Sequence, residues 1–208
     1  MNIEFYKTAF LTMFVALDPP GLAPLFIALT SHMAIAERKA TAYRATLIAF
    51  CILAGAALCG EPLLHSLGIG IPAFRIAGGL LLFWIAVEMV FEKREQRKAH
   101  TAEVTVTQDH HYSIAAFPLA IPLMAGPGAI TATILQANIA SKSLIDFAVL
   151  IGILAIVLLS CLGVFLMAGR IDRWLGQTGR VVLSRLLGVL LAAMAVQTLG
   201  DGILSFRP

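Results

Sequence analysis

The sequence predicts an all-α membrane protein: six transmembrane helices built as two inverted-topology three-helix repeats, the first and fourth helices broken near mid-membrane. Three observations predict it. Of 208 residues, 59% are hydrophobic and 13% charged, with a mean hydropathy of +0.89; a soluble domain is roughly 45–50% apolar and about 25% charged. Apolar segments fall at about 5–29, 41–60, 70–91, 114–138, 144–168 and 181–203, each long enough for a hydrocarbon core that needs about 20 residues per helix. Finally, the halves resemble each other. Pro20-Gly21 is matched by Pro127-Gly128, 107 positions later, and Arg75-x-x-Gly78-x-Leu80-Leu81 by Arg185-x-x-Gly188-x-Leu190-Leu191, 110 positions later. Three spans per half is an odd number, so a true repeat must be inverted.

The elements follow in order. The N-terminus lacks a basic region and a small-residue cleavage site, so the first apolar run reads as a retained helix. The second span starts after the charged turn Glu37-Arg38-Lys39, and the third closes a first repeat over 1–91. A charged linker, 92–113, carries the longest polar stretch, and the second repeat occupies 114–208. Counting Lys and Arg in alternate loops gives ten on the side of Arg38, the linker and Arg180, against Lys7, Arg75, Lys142 and Arg207 on the other. The richer side is the cytoplasmic one, which puts both termini outside. The net charge of +3 is scattered, with no basic stripe among aromatics, which excludes a nucleic-acid partner. Cys51, Cys59 and Cys161 lie inside apolar runs and read as small packing residues.

The two interruptions carry the candidate site. Pro19 and Pro20 lack amide hydrogens and Gly21 adds backbone freedom. Asp18, preceding a proline, is pushed out of helical backbone at a depth of roughly 20 Å, counting about 1.5 Å per residue from Phe5. The fourth helix, with Pro118, Pro122 and Gly126-Pro127-Gly128, breaks at a comparable depth. Non-helical backbone there must be buried by protein or lined by water. Each break offers a half-helix N-terminus to an anion and free carbonyls to a cation, and a zwitterion fits both. The candidate binding residues are Asp18, Pro20, Gly21, Gly126, Pro127, Gly128 and Thr131. Small neighbours such as Ala16, Ala23, Ala125 and Ala132 make a small pocket the expectation. Two plainer readings stay open: Asp18 as the N-cap of the second half-helix, and the glycines as helix contacts.

Elsewhere, Glu88 lies one turn from its helix end and reads as structural, and Arg75 and Arg185 as interface anchors. Gln136, Asn138 and Gln197 are secondary candidates. Asp109-His110-His111 lacks a third spaced metal ligand, and Asp201, between Gly200 and Gly202, has no partner aspartate for protease chemistry. No nucleophile triad, phosphate loop or carboxylate pair appears, so neither an enzyme nor a cofactor is expected.

Asp18-Pro19-Pro20-Gly21-Leu22-Ala23-Pro24-Leu25-Phe26, the run Ile121 to Thr131, and the helix openings at Arg75 and Arg185 together resemble the MarC family of bacterial inner-membrane proteins, within the wider LysE-like transporter group. The resemblance covers essentially the whole chain. Leu22 departs from it, standing where the family usually has asparagine. The resemblance implies six spans, a bacterial inner membrane and, for some members, transport of small neutral amino acids. The expected function is therefore secondary transport of such a small polar metabolite. The expected partners are a zwitterionic small molecule, the lipid bilayer and a coupling ion, H+ or Na+, with homo-oligomerisation left open. Two alternatives remain: a cation channel or ion exchanger using Asp18, and a non-transporting membrane scaffold.

Overall fold

The computed structural model describes residues 3–94, 97 and 114–206, without the side chains of 172–175 and 177. The greater part of the 92–113 linker, with Asp109, His110 and His111, lies outside the described residues. The described chain is helical throughout, and the helices form in order: α1 (Ile3–Leu17), α2 (Pro19–Leu29), α3 (Ile35–Ser66), α4 (Ile71–Val90), α5 (Ala115–Met124), α6 (Pro127–Ala140), α7 (Leu144–Leu166) and α8 (Ala168–Ser205).

Five stretches are long and apolar enough to cross a membrane: Ile3–Leu29, Ile35–Ser66, Ile71–Val90, Leu144–Leu166 and Thr178–Ser205. Gly176, at φ 59, bends α8 just before the last of these. The pair α5 and α6 is bent by 62° and makes a sixth candidate. Side-chain contacts fix the ends. Tyr6 Oη donates to Asp146 Oδ1 at 2.5 Å, and Arg75 donates to Asn138 Oδ1 at 3.4 Å. The starts of α1, α4 and α7 and the end of α6 therefore share one end of the bundle, here the Arg75 end. The chain leaves α4 at the opposite end, the Arg94 end, and begins α7 at the Arg75 end. Between them the bent pair has to travel the length of the bundle.

Of these five stretches the interrupted first span is the most enclosed. Of its most apolar stretch, 67% is buried inside the protein, against 22–44% for the other four. This is what lipid as solvent demands, since irregular backbone survives only where protein surrounds it. The outer helices show the reverse pattern. Leu47, Leu58, Leu80, Trp84, Ile156, Leu159, Leu186 and Val189 are all exposed, as expected of side chains that face lipid tails.

Glycines allow a close contact between α4 and α8. A Cβ on Gly79 would stand 2.9 Å from the Leu199 nitrogen and 3.0 Å from the Ala195 carbonyl oxygen. Farther along, a Cβ on Gly188 would stand 2.9 Å from the Met89 Cβ and 3.1 Å from the Ala86 oxygen. Small residues let backbones approach where no hydrophobic force separates lipid from protein. Because the obstacle at Gly79 is backbone, Gly79→Ala should force the helices apart, an overpacking cost of about 1–3 kcal/mol. Thermal unfolding in detergent checks it: the midpoint falls by several degrees, while Gly55→Ala, with nothing within 4 Å, does not lower it, since alanine favours a helix over glycine.

Candidate functional site

The first interruption is a single residue. Asp18 adopts the left-handed conformation, φ 56 and ψ 64, which Asp and Asn tolerate better than other side chains. Its own amide still donates to the Phe14 oxygen at 2.9 Å, so α1 keeps its last turn and the span continues without a sharp bend. The carboxylate folds back as the N-cap of α2, accepting from the Gly21 amide at 3.3 Å. A Cβ on Gly21 would lie 2.3 Å from Asp18 Oδ2, so glycine is what admits this return. Asp18 is 2% exposed.

Prolines 19 and 20 remove the donors for two carbonyls of α1, because the oxygen of residue i bonds the amide of i+4. The Ala16 oxygen would have bonded the missing amide of Pro20. Arg94, from the segment after α4, supplies the replacement. Its Nη2 donates to the Ala16 oxygen at 2.7 Å, and its Nη1 lies 2.9 Å from the Met89 sulfur. Arg94 is 6% exposed. Burial lowers its pKa from the ordinary value, and the Asp18 carboxylate opposes that shift; a guanidinium stays charged regardless. Arg97 pairs with Glu88 at 2.9 Å, and the Trp84 indole donates to the same carboxylate at 3.0 Å.

The second interruption is a true bend. Phe117 and Ile121, each before a proline, are extended (φ −137, ψ 127 and φ −125, ψ 125), as the proline ring requires of its predecessor. The irregular α5 closes on a wide-turn bond, Ala125 N to the Ala120 oxygen at 2.8 Å. Gly126 is the extended N-cap of α6 and brings no side chain to cap it. The first amides of α6, at Gly128 and Ala129, therefore have no side-chain acceptor at the cap, and the helix dipole adds partial positive charge there.

These parts meet around a cavity of about 230 Å3. Ala16 lines it from the first break, Gly126, Pro127, Gly128 and Ala129 from the second, Ile85 from α4, and Arg94 and Arg97 from the segment after it. Of the residues the sequence picks out, Gly126, Pro127 and Gly128 are on this wall. Asp18, Pro20 and Gly21 are not; they form the cap behind it. Thr131 packs into the α4–α6 contact, its methyl 2.6 Å from where a Cβ on Gly78 would lie. Arg94 and Arg97 are the site residues that sequence reasoning passes over. The signal that finds Arg94 is the Pro19-Pro20 pair, whose freed carbonyls require a donor.

The cap geometry makes a prediction. Asp18→Asn keeps both the cap acceptor and the tolerance for positive φ, whereas Asp18→Ala loses both, and each loses the charge. The asparagine variant should therefore be the more stable of the two by about 1 kcal/mol, read as the difference in their unfolding midpoints in detergent.

Residues 3–206 match the family model described as MarC family integral membrane protein. The chain is 38% identical over 206 residues to a UPF0056 membrane protein of Archaeoglobus fulgidus, covering 97% of this chain and 93% of that one. It is 37% identical to the UPF0056 membrane protein YhcE of Escherichia coli, covering 100% and 95%. It is 33% identical to the UPF0056 membrane protein YvbG of Bacillus subtilis, covering 100% and 98%. No solved structure matches. The chain is a multi-pass integral membrane protein and belongs to the MarC family.

Proposed function

We propose that this protein is a secondary transporter of small polar metabolites in a bacterial inner membrane, with the small neutral amino acids as the first class to test. The observation that carries the reading is the cavity at the second break. It is lined by two arginines, the uncapped start of α6 and Ala16, whose carbonyl oxygen Arg94 holds. Arg94, Arg97 and the Gly128 and Ala129 amides suit a carboxylate, while the carbonyl suits an ammonium group. At about 230 Å3 the space falls below the ~300–1,000 Å3 usual for drug-sized ligands. No ATP-binding motif occurs in the sequence, so an H+ or Na+ gradient, or the solute's own, drives the movement.

Six crossings in two inverted repeats support alternating access. The α4–α8 contact agrees with that symmetry. Gly79 meets Ala195 and Leu199 near one end, and Gly188 meets Ala86 and Met89 near the other, as a two-fold axis between these helices would require. The ten-to-four basic count supports a cytoplasmic Arg94 end. Alkaline phosphatase fused to the C-terminus should then be active, and an inactive fusion on inserted protein overturns the orientation. The channel reading is less favoured, because the Asp18 carboxylate caps α2 and is not on the cavity wall.

Counterflow into proteoliposomes against a panel of amino acids tests the function. Arg94→Gln should reduce uptake about tenfold or more, the usual size of a lost charge-assisted contact. Gly128→Val should do the same, since its Cβ would meet Ile85 Cδ1 at 2.3 Å and fill the cavity. Asp18→Asn should change uptake far less. Counterflow absent for every solute, from monodisperse wild-type protein, rejects transport of this class.

A further inference from the structure

A second cavity, of about 90 Å3, lies toward the Arg75 end between α1, α4, α6 and α8. Arg75, Asp201, Gln136, Thr12 and Thr198 line it. Gln136 is 8% exposed. Its Nε2 donates to Thr12 Oγ1 at 3.4 Å, yet its Oε1 is buried with no hydrogen-bond partner among the described residues. A buried acceptor left unpaired costs about 1–3 kcal/mol, and Gln136, which carries this one, stands at the cavity wall.

The charges narrow what would suit this cavity. Arg75 and Asp201 line the same small space, but their hydrogen bonds go elsewhere: Arg75 to Asn138, and Asp201 Oδ1 from Gln197 Nε2 at 2.9 Å. An arginine so close disfavours a lone cation, and an aspartate disfavours a lone anion. A molecule carrying both charges satisfies both side chains. The volume holds about three waters, the scale of the smallest amino acids.

The position matters as much as the chemistry. The break cavity touches Ala16, Ile85 and Ala129; this one touches Thr12, Leu82 and Ala132. On each of α1, α4 and α6 the step between them is a single helical turn, about 5 Å. Ala16, Leu82, Ala86 and Ala132 belong to one buried apolar cluster there, so a thin layer of mostly small side chains separates the two spaces.

We propose that this cavity is a second ligand site for a small zwitterion, with the carboxylate on Arg75 and the ammonium between Asp201 and Gln136 Oε1. It forms the Arg75-end port of the path whose other port is the break cavity, an assignment that rests on the transport reading above. At the far end an arginine and a carboxylate are already paired. Arg185, 110 positions after Arg75, and Glu92, 109 before Asp201, form an ion pair.

The test uses full-length protein in detergent with Cys51, Cys59 and Cys161 replaced by alanine and Thr198→Cys added. A methanethiosulfonate reagent labels the new thiol, and glycine, alanine and serine are the probes. At ten times its dissociation constant, a bound amino acid should slow labelling by about tenfold. Independently, Asp201→Asn and Gln136→Leu should each weaken alanine binding about tenfold, with Asp201→Glu closer to wild type. Counterflow with no protection and unchanged binding in both variants overturns the second site and leaves the transport reading standing. Protection without counterflow in wild-type proteoliposomes overturns the transport reading and the port, and supports the binding site alone.

Discussion

The arrangement depends on one hydrogen bond, from Arg94 to the carbonyl oxygen of Ala16. A peptide carbonyl without a donor costs several kcal/mol in an apolar interior, and Pro20 guarantees that this one has no donor from its own helix. The solution comes from 78 positions away in the chain, which ties the end of the third span to the middle of the first. It also brings a buried charge, which is tolerable only with compensation. Asp18 provides that compensation while capping α2. Break, guanidinium and carboxylate thus form one connected unit.

The second break solves the same problem differently. Among the described residues no side chain caps α6 at Gly126, and its first residues line the cavity. One interruption is thus sealed from within and the other left available. Around them, the glycine contacts hold α4 against α8 and α6, so the walls of the cavity come from closely packed helices. The exposed apolar side chains of α3, α4, α7 and α8 complete the picture of an enclosed polar centre inside a lipid-facing ring.

Much of this was legible in the sequence, and the parts that were not have a common cause. Long apolar runs report spans directly, because length and composition are what lipid selects. Proline and glycine report where a helix loses its bonds, so both interruptions were visible. They do not report direction. The span holding Asp18 continues as one stretch, with the Phe14 bond intact, while α5 and α6 diverge by 62°, and local sequence does not distinguish the two outcomes. Gly126, Pro127 and Gly128, which line the cavity, were readable as candidates from their position at a break. Arg94 was not, since one arginine among several basic neighbours reads as a topology signal until tertiary contact shows where it reaches. Gln136 and Asp201 sit on different helices, and only folding brings them to the same cavity.

The Ala16–Arg94 bond has a consequence for how strongly anything can bind beside it. Any ammonium seeking that carbonyl must share its oxygen with a guanidinium that is always present at unit stoichiometry. A carbonyl has lone pairs for two donors, but two cations side by side repel, so the resident arginine lowers the affinity of any cationic guest. A receptor that must hold its ligand would be poorly served by such an arrangement. A carrier benefits from it, because a guest that never binds tightly is a guest that leaves quickly.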